Sequence, residues 1–121
     1  MAGNASPAVV PGFTRLASGR VEQVRIDPDG IAPPAANYAH AVLTGQPGRI
    51  LHTSGVVPVE PDGSVSGDVA DQASTVWSNI AAILAEASMG FRDIVSVTTY
   101  VVVGEDLGAV MAARDGALGG N

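Results

Sequence analysis

The residues of this chain whose types could do chemistry are two histidines, His40 and His52, a serine beside a glycine, Ser54, and a scatter of carboxylates. Histidine ligates metals and moves protons near neutral pH. Neither HxH nor HExxH spacing occurs, however, and no carboxylate falls within Tyr38 to Thr44 or Arg49 to Val57, the runs that hold the two rings. A metal site is therefore not expected, and both histidines read as ordinary half-buried residues. Ser54 stands in Thr53-Ser54-Gly55, which is not the G-x-S-x-G elbow that exposes a nucleophile, and neither histidine is marked as its base. It reads as a strand-end serine, with Gly55 permitting close approach of another backbone or of a ligand. Asp68, Asp71, Asp93, Glu105 and Asp106 sit where caps and turns need them, and no pair of them makes an acid–base site.

Composition narrows the choices further. Cysteine is absent, which removes disulfides and thiol catalysis; lysine is absent, which removes Schiff bases and the P-loop. Six arginines at positions 15, 20, 25, 49, 92 and 114 are spread along a chain of net charge −6. Scattered cations in an acidic chain work against phosphate-backbone binding, and with two Phe, two Tyr and one Trp there are few platforms for stacking bases. Nucleic acid is not the expected partner. No apolar run reaches the ~18 residues that cross a bilayer, and no signal pattern opens the chain. A soluble cytoplasmic protein of a single domain over residues 1–121 is expected.

The elements that must position these residues follow from pattern. Residues 1–19 are rich in Ala, Ser, Gly and Pro and read as a flexible arm. Arg20 to Ile26 suggests a short strand, and residues 27–37, with three prolines, an irregular connector. Tyr38 to Thr44 and Arg49 to Val57 are strand-like runs separated by GQPG, which predicts a β-hairpin and would set His40 and His52 on one face. Pro58 and Pro61 bracket a turn ending in Asp62-Gly63. Asp68 is placed to cap a helix running to about Ala87, with Ala73, Val76, Trp77, Ile80, Ile83, Leu84 and Ala87 as its apolar stripe and Gln72, Ser74, Ser78 and Asn79 opposite. Gly90 is expected to stop it. Asp93 to Val103 is β-branched and predicts a strand, with Val95, Val97, Thr99, Val101 and Val103 turned towards helices. Glu105 and Asp106 open a last helix carrying Leu107, Val110, Met111 and Leu118, ended by Gly119-Gly120. Hairpin, helix, strand, helix is an α+β order, with two helices covering one face of a sheet.

Tyr38, Ser54-Gly55, the turn from Pro58 to Gly63, Gly67-Asp68-Val69-Ala70-Asp71-Gln72, Asn79-Ile80, Ala82-Ile83-Leu84, Asp93-Ile94-Val95 and Thr98-Thr99 form a collinear series. In order and spacing it resembles the Rid/YjgF (endoribonuclease L-PSP-like) family of imine deaminases over residues 33–118. The resemblance implies a chorismate-mutase-like α+β fold and a homotrimer with clefts between subunits. It implies a hydrolase that turns reactive 2-imino acids into 2-keto acids and ammonia without a cofactor. It places Tyr38, Ser54 and Gly55 at the substrate cleft, with Val56 where glutamine is usual and Met111 where asparagine is frequent, so the cleft is more apolar than in the deaminases. The family's clamping arginine and its acid lie on strands beyond the second helix, past Asn121, and Arg114, in a helix, does not match the clamp. The sequence therefore reads as a form lacking the last strands. The competing reading is a non-catalytic Rid-like trimer that binds a small ligand or regulates a partner.

Overall fold

A computed structural model describes residues 23–35, 38–45 and 48–119. The expected arm over 1–19 lies outside the described residues. The chain is α+β, with a two-stranded antiparallel sheet and two α-helices, and it divides into two compact units, Met1–Ile50 and Leu51–Asn121.

The first unit holds the sheet. Strands β1 (Gln23–Ile26) and β2 (Ala41–Thr44) pair antiparallel, with Gln23 opposite Thr44 and Ile26 opposite Ala41. The short strand expected at Arg20 to Ile26 is present over its described part. The hairpin expected across GQPG is not: the partner of β2 is β1, and residues 49–57 carry no ladder. The reason lies in the β1–β2 connection, which closes on itself. Asp27 Oδ1 accepts from the backbone N–H of His40 at 2.8 Å, and the Arg25 guanidinium donates to the carbonyl of Tyr38 at 3.3 Å and to Asp27 Oδ2 at 3.5 Å. These bonds bring Ile26 and Ala41 together at the open end of a 14-residue connection, so the three prolines expected to make a mere connector instead sit inside a closed loop.

The second unit is built on helix α1 (Val69–Glu86) and helix α2 (Leu107–Leu118), which pack against each other. Asp68 caps α1 as expected, its Oδ1 accepting from the N–H of Asp71 at 3.0 Å, and Asp106 does the same for α2 through Ala109 at 3.1 Å. Ala73, Trp77 and Leu84 are buried together with Val110 of α2, and the Trp77 ring meets Phe91 edge-on at 5.8 Å. Gly119 ends α2 in the left-handed conformation, φ 61°. Gly63, at φ 87°, completes the turn after Pro58, where its N–H donates to the carbonyl of Glu60. The hydroxyl and then the N–H of Ser64 hold the Asp62 carboxyl in that turn below its ordinary pKa.

Two expectations fail here. Helix α1 is stopped by Ser88, not by Gly90: Ser88 takes φ 57°, its N–H donates to the carbonyl of Ala85, and the N–H of Met89 reaches back to Leu84 at 2.8 Å. That is a Schellman termination, completed before Gly90 is reached. Asp93 to Val103 is not a strand either. It opens with a 3-10 turn, Phe91–Asp93, in which Asp93 Oδ2 accepts from the N–H of Gly90 at 2.8 Å, and continues without ladder bonds. A strand exists only through a neighbour, and no described segment forms a ladder with this one. Val95, Val97 and Val103 are consequently exposed rather than turned against helices. Among the described residues no helix is long and apolar enough to cross a membrane.

Two outcomes follow from this geometry. A non-glycine residue in the left-handed region costs about 1 kcal/mol, so Ser88→Gly should raise unfolding free energy by about that amount in urea titration. An unchanged midpoint would mean that Ser88 is not strained. The Asp27 carboxyl is held below its ordinary 3.8, chiefly by the His40 N–H and further by Arg25, against a smaller opposing effect of burial. A lowered carboxyl pKa stabilises the fold above the unfolded value and ceases to do so as pH falls through the folded one. The protection of the β1–β2 amides, taken relative to the intrinsic exchange rate at each pH, should therefore be high at neutral pH and fall below pH 3.8, whereas Asp27→Ala should lack it at both.

Candidate functional site

Three of the five residues expected at a cleft stand together. Ser54, Gly55 and Val56 belong to the stretch 52–59 that precedes the Asp62-Gly63 turn, and this stretch lies along α1 in the second unit. Between them runs an open groove of about 600 Å3, walled by His52 to Val57 and Val59 on one side and by Asn79, Ala82 and Ile83 of α1 on the other.

What holds the two walls in register is a polar stripe on the helix. Thr75, Asn79 and Ile83 follow one another at four-residue spacing and so lie on one face. The Asn79 carboxamide donates to the carbonyls of Val57 at 3.2 Å and Val59 at 3.1 Å, one bond from each of two residues spaced i and i+2 along the extended stretch. One turn earlier, the buried Thr75 hydroxyl donates to Glu60 Oε1 at 2.5 Å, with the carbonyl of Asp71 also 3.0 Å away. Gln72 adds a third tie, its Nε2 donating to the carbonyl of Ser66 at 2.6 Å. The side expected to be merely polar is therefore the side that carries the groove. Ile83, expected in the apolar stripe, lines the groove and is exposed at 37%. Thr75 and Asn79, four residues apart in an otherwise Ala- and Ile-rich helix, are the signal in the sequence that marks a second face in contact with the chain.

Because its carbonyls at 57 and 59 accept from Asn79, that at 57 also from the N–H of Val59, and no strand pairs with it, the stretch leaves much of the rest of its backbone unbonded among the described residues. The N–H groups from His52 to Val56 and the hydroxyls of Thr53 and Ser54 have no hydrogen-bond partner among the described residues. No carboxylate lines the groove, and His52 is its one ionisable side chain. Such a surface offers donors to an oxygen-bearing ligand against an apolar floor of Ala82 and Ile83.

The other two expected residues are elsewhere. Met111 lies on α2, outside the groove lining and exposed at 37%. Tyr38 belongs to the first unit, where its hydroxyl accepts from the N–H of Ala35 at 3.3 Å and its ring stands edge-on to His40. His40 Nδ1 is 3.3 Å from Asp27 Oδ1. The two histidines thus fall in different units, and the shared face that a GQPG hairpin would have given them is not formed. Arg114 is paired with its neighbour Asp115 at 2.8 Å on α2.

The sequence model of the family described as endoribonuclease L-PSP matches residues 30–121. RutC family proteins of Pyrococcus abyssi and Pyrococcus horikoshii are each 34% identical over 70 residues, which is 56% of this chain and 53% of theirs. The mitochondrial protein MMF1 of Saccharomyces cerevisiae is 33% identical over 73 residues, 59% of this chain and 48% of its own. The chain thus spans about half the length of the curated relatives it matches. No solved structure matches.

The Asn79 clamp has a direct test. Asn79→Asp keeps the size of the side chain but replaces both N–H donors by an acceptor facing two carbonyls. A loss of about 1–3 kcal/mol is expected, with faster hydrogen exchange confined first to residues 57–60. Unaltered stability and exchange would show that the stretch is held by something else.

Proposed function

The chain belongs to the endoribonuclease L-PSP family, the Rid/YjgF proteins, and on that premise we propose that it is a Rid-type deaminase, hydrolysing reactive 2-imino acids and their enamine tautomers. The reaction adds water across the C=N bond and expels ammonia, leaving a 2-keto acid. The observation that carries this reading is the groove beside Ser54-Gly55-Val56, lined by residues whose backbone N–H groups and two hydroxyls have no partner among the described residues, and by Ala82 and Ile83 of α1. Amide donors fixed in place stabilise oxygen as it gains negative charge, and do so without reorganising. Water attack on the imine carbon moves the C=N electron pair onto nitrogen, and the carbinolamine then gives up its hydroxyl proton as it expels ammonia; the substrate carboxylate and that carbinol oxygen are the oxygens this donor set can hold. We take Tyr38 and Met111 as further cleft residues, the two units as parts of one Rid-like domain, and a cytoplasmic homotrimer as the working form. The exposed Val95, Val97, Tyr100, Val102 and Val103 support an assembly, since a run of bare valines with a tyrosine is a surface that association buries.

One observation favours a second reading. No carboxylate lines the groove to activate water, and Val56 keeps it apolar, as suits a Rid-like protein that binds a small 2-keto or 2-imino acid without turning it over. An endoribonuclease activity is disfavoured by the net charge of −6.

Freshly generated 2-iminopropanoate distinguishes the two. A deaminase releases pyruvate faster than the uncatalysed reaction does, in proportion to protein concentration. A rate equal to the background, together with a melting temperature raised by pyruvate, would replace it by the binding protein.

A further inference from the structure

We propose that the Asp29-Gly30 step is a site of covalent self-modification: in the folded chain it passes through a cyclic imide to isoaspartate, whereas the other two Asp-Gly steps are held from doing so. The inference concerns the first unit and does not rest on the groove.

The chemistry is intramolecular and needs no co-reactant beyond water. The backbone nitrogen of Gly30 attacks the carboxyl carbon of Asp29; a C–N bond forms, the C–OH bond breaks, and the hydroxyl leaves as water with the proton of that nitrogen. A second water then opens the imide. Where it adds at the α-carbonyl, the bond from that carbon to the Gly30 nitrogen breaks. The main chain then runs on through the side-chain carbonyl, one methylene longer, and the α-carboxylate hangs free. Glycine obstructs this attack least, having no Cβ beside the nucleophile and the widest choice of backbone angles. Three steps in the sequence qualify, Asp29-Gly30, Asp62-Gly63 and Asp115-Gly116.

The structure separates them. At Asp62-Gly63 both reacting groups are engaged: Asp62 Oδ1 accepts from the hydroxyl of Ser64 at 2.6 Å and from its N–H at 2.9 Å, and the Gly63 N–H donates to the carbonyl of Glu60 at 2.8 Å. The Ser64 bonds hold that carboxyl below its ordinary pKa, and an ionised carboxylate is a poor electrophile. At Asp115-Gly116 the nitrogen belongs to the hydrogen-bonded ladder of α2, and the Asp115 carboxylate holds Arg114 at 2.8 Å. Asp29-Gly30 has neither restraint. Both residues are exposed in a turn after Pro28, and among the described residues no hydrogen bond reaches the Asp29 carboxyl or the Gly30 N–H. Nor does the fold resist the product. The connection is tied at its base by Asp27 to His40 and by Arg25 to Tyr38, outside the reacting step, and one more methylene in a loop already closed costs little.

Cleavage after arginine places the three steps on separate peptides, 26–49, 50–92 and 115–121, so one digest reads them all. The full chain is kept folded in neutral buffer for several weeks and digested with trypsin. Isoaspartate is then counted in each peptide with an isoaspartyl-specific carboxyl methyltransferase and a labelled methyl donor. Freeing a carboxylate from two hydrogen bonds slows its reaction at least about tenfold, so the 26–49 peptide is expected to exceed either other by that factor. A parallel sample unfolded in urea is expected to lose the preference and to form isoaspartate in all three. Gly30→Ala is expected to suppress the label in 26–49 several-fold without lowering the melting temperature, because a Cβ at Gly30 meets open space and its φ is not left-handed. The proposal is overturned if the folded chain forms isoaspartate equally in the three peptides, or first in 50–92 or 115–121. It is equally overturned if 26–49 stays unmodified while the urea sample reacts, if the urea sample keeps the preference, or if Gly30→Ala leaves the label in 26–49 undiminished.

Discussion

The two bonds from Asn79 to the carbonyls of Val57 and Val59 are the constraint on which the second unit depends. An extended stretch without a neighbouring strand has no ladder to fix it, and its backbone must otherwise bond to water. The carbonyl of Val57 also accepts from the N–H of Val59 at 2.9 Å, so a turn at Pro58 presents both carbonyls to a single carboxamide, which ties the stretch to α1. Thr75 and Gln72 extend that tie by one and two turns, to Glu60 and Ser66. Helix α1 is therefore held on two faces by different means: Trp77 and Leu84 by apolar contact near α2 and Phe91, Thr75 and Asn79 by hydrogen bonds.

The arrangement has a chemical consequence. A stretch paired on both edges in a sheet has no donors left for a ligand, whereas a stretch pinned by side chains at 57 and 59 keeps its N–H groups from 52 to 56 available. The Ser-Gly step becomes part of a groove for that reason. Glycine at 55 has open space where a Cβ would stand, so no neighbour crowds the approach. The same absence of strand pairing leaves Val95, Val97, Tyr100, Val102 and Val103 bare on the segment after the 3-10 turn. Groove and bare segment thus have one physical origin, extended backbone without strand neighbours.

Much of this was legible from residue order. Both helices, their Asp68 and Asp106 caps, the Asp62-Gly63 turn, the Gly119 stop and the α+β class follow from local chemistry, because a cap or a turn is decided by residues within four positions of one another. The collinear series from Tyr38 to Thr99 likewise pointed to the family whose model covers residues 30–121. The strands were less legible. Residues 49–57 and 93–103 have the composition of strands, yet composition states only a willingness to pair, and the partner is a tertiary matter.

By itself, then, the sequence determined where both helices begin and where α2 ends, that Ala73, Trp77 and Leu84 belong to the core, and that neither thiol nor lysine chemistry is open to this chain. Only the tertiary structure decided that β2 pairs with β1, since the choice rests on Asp27 reaching the N–H of His40 across a closed loop. It alone decided that Asn79 and Ile83 face a groove and not solvent or core. Hydrophobic periodicity registers how apolar a helix face is, and a face tied to the chain by the hydrogen bonds of a threonine and an asparagine leaves no apolar mark.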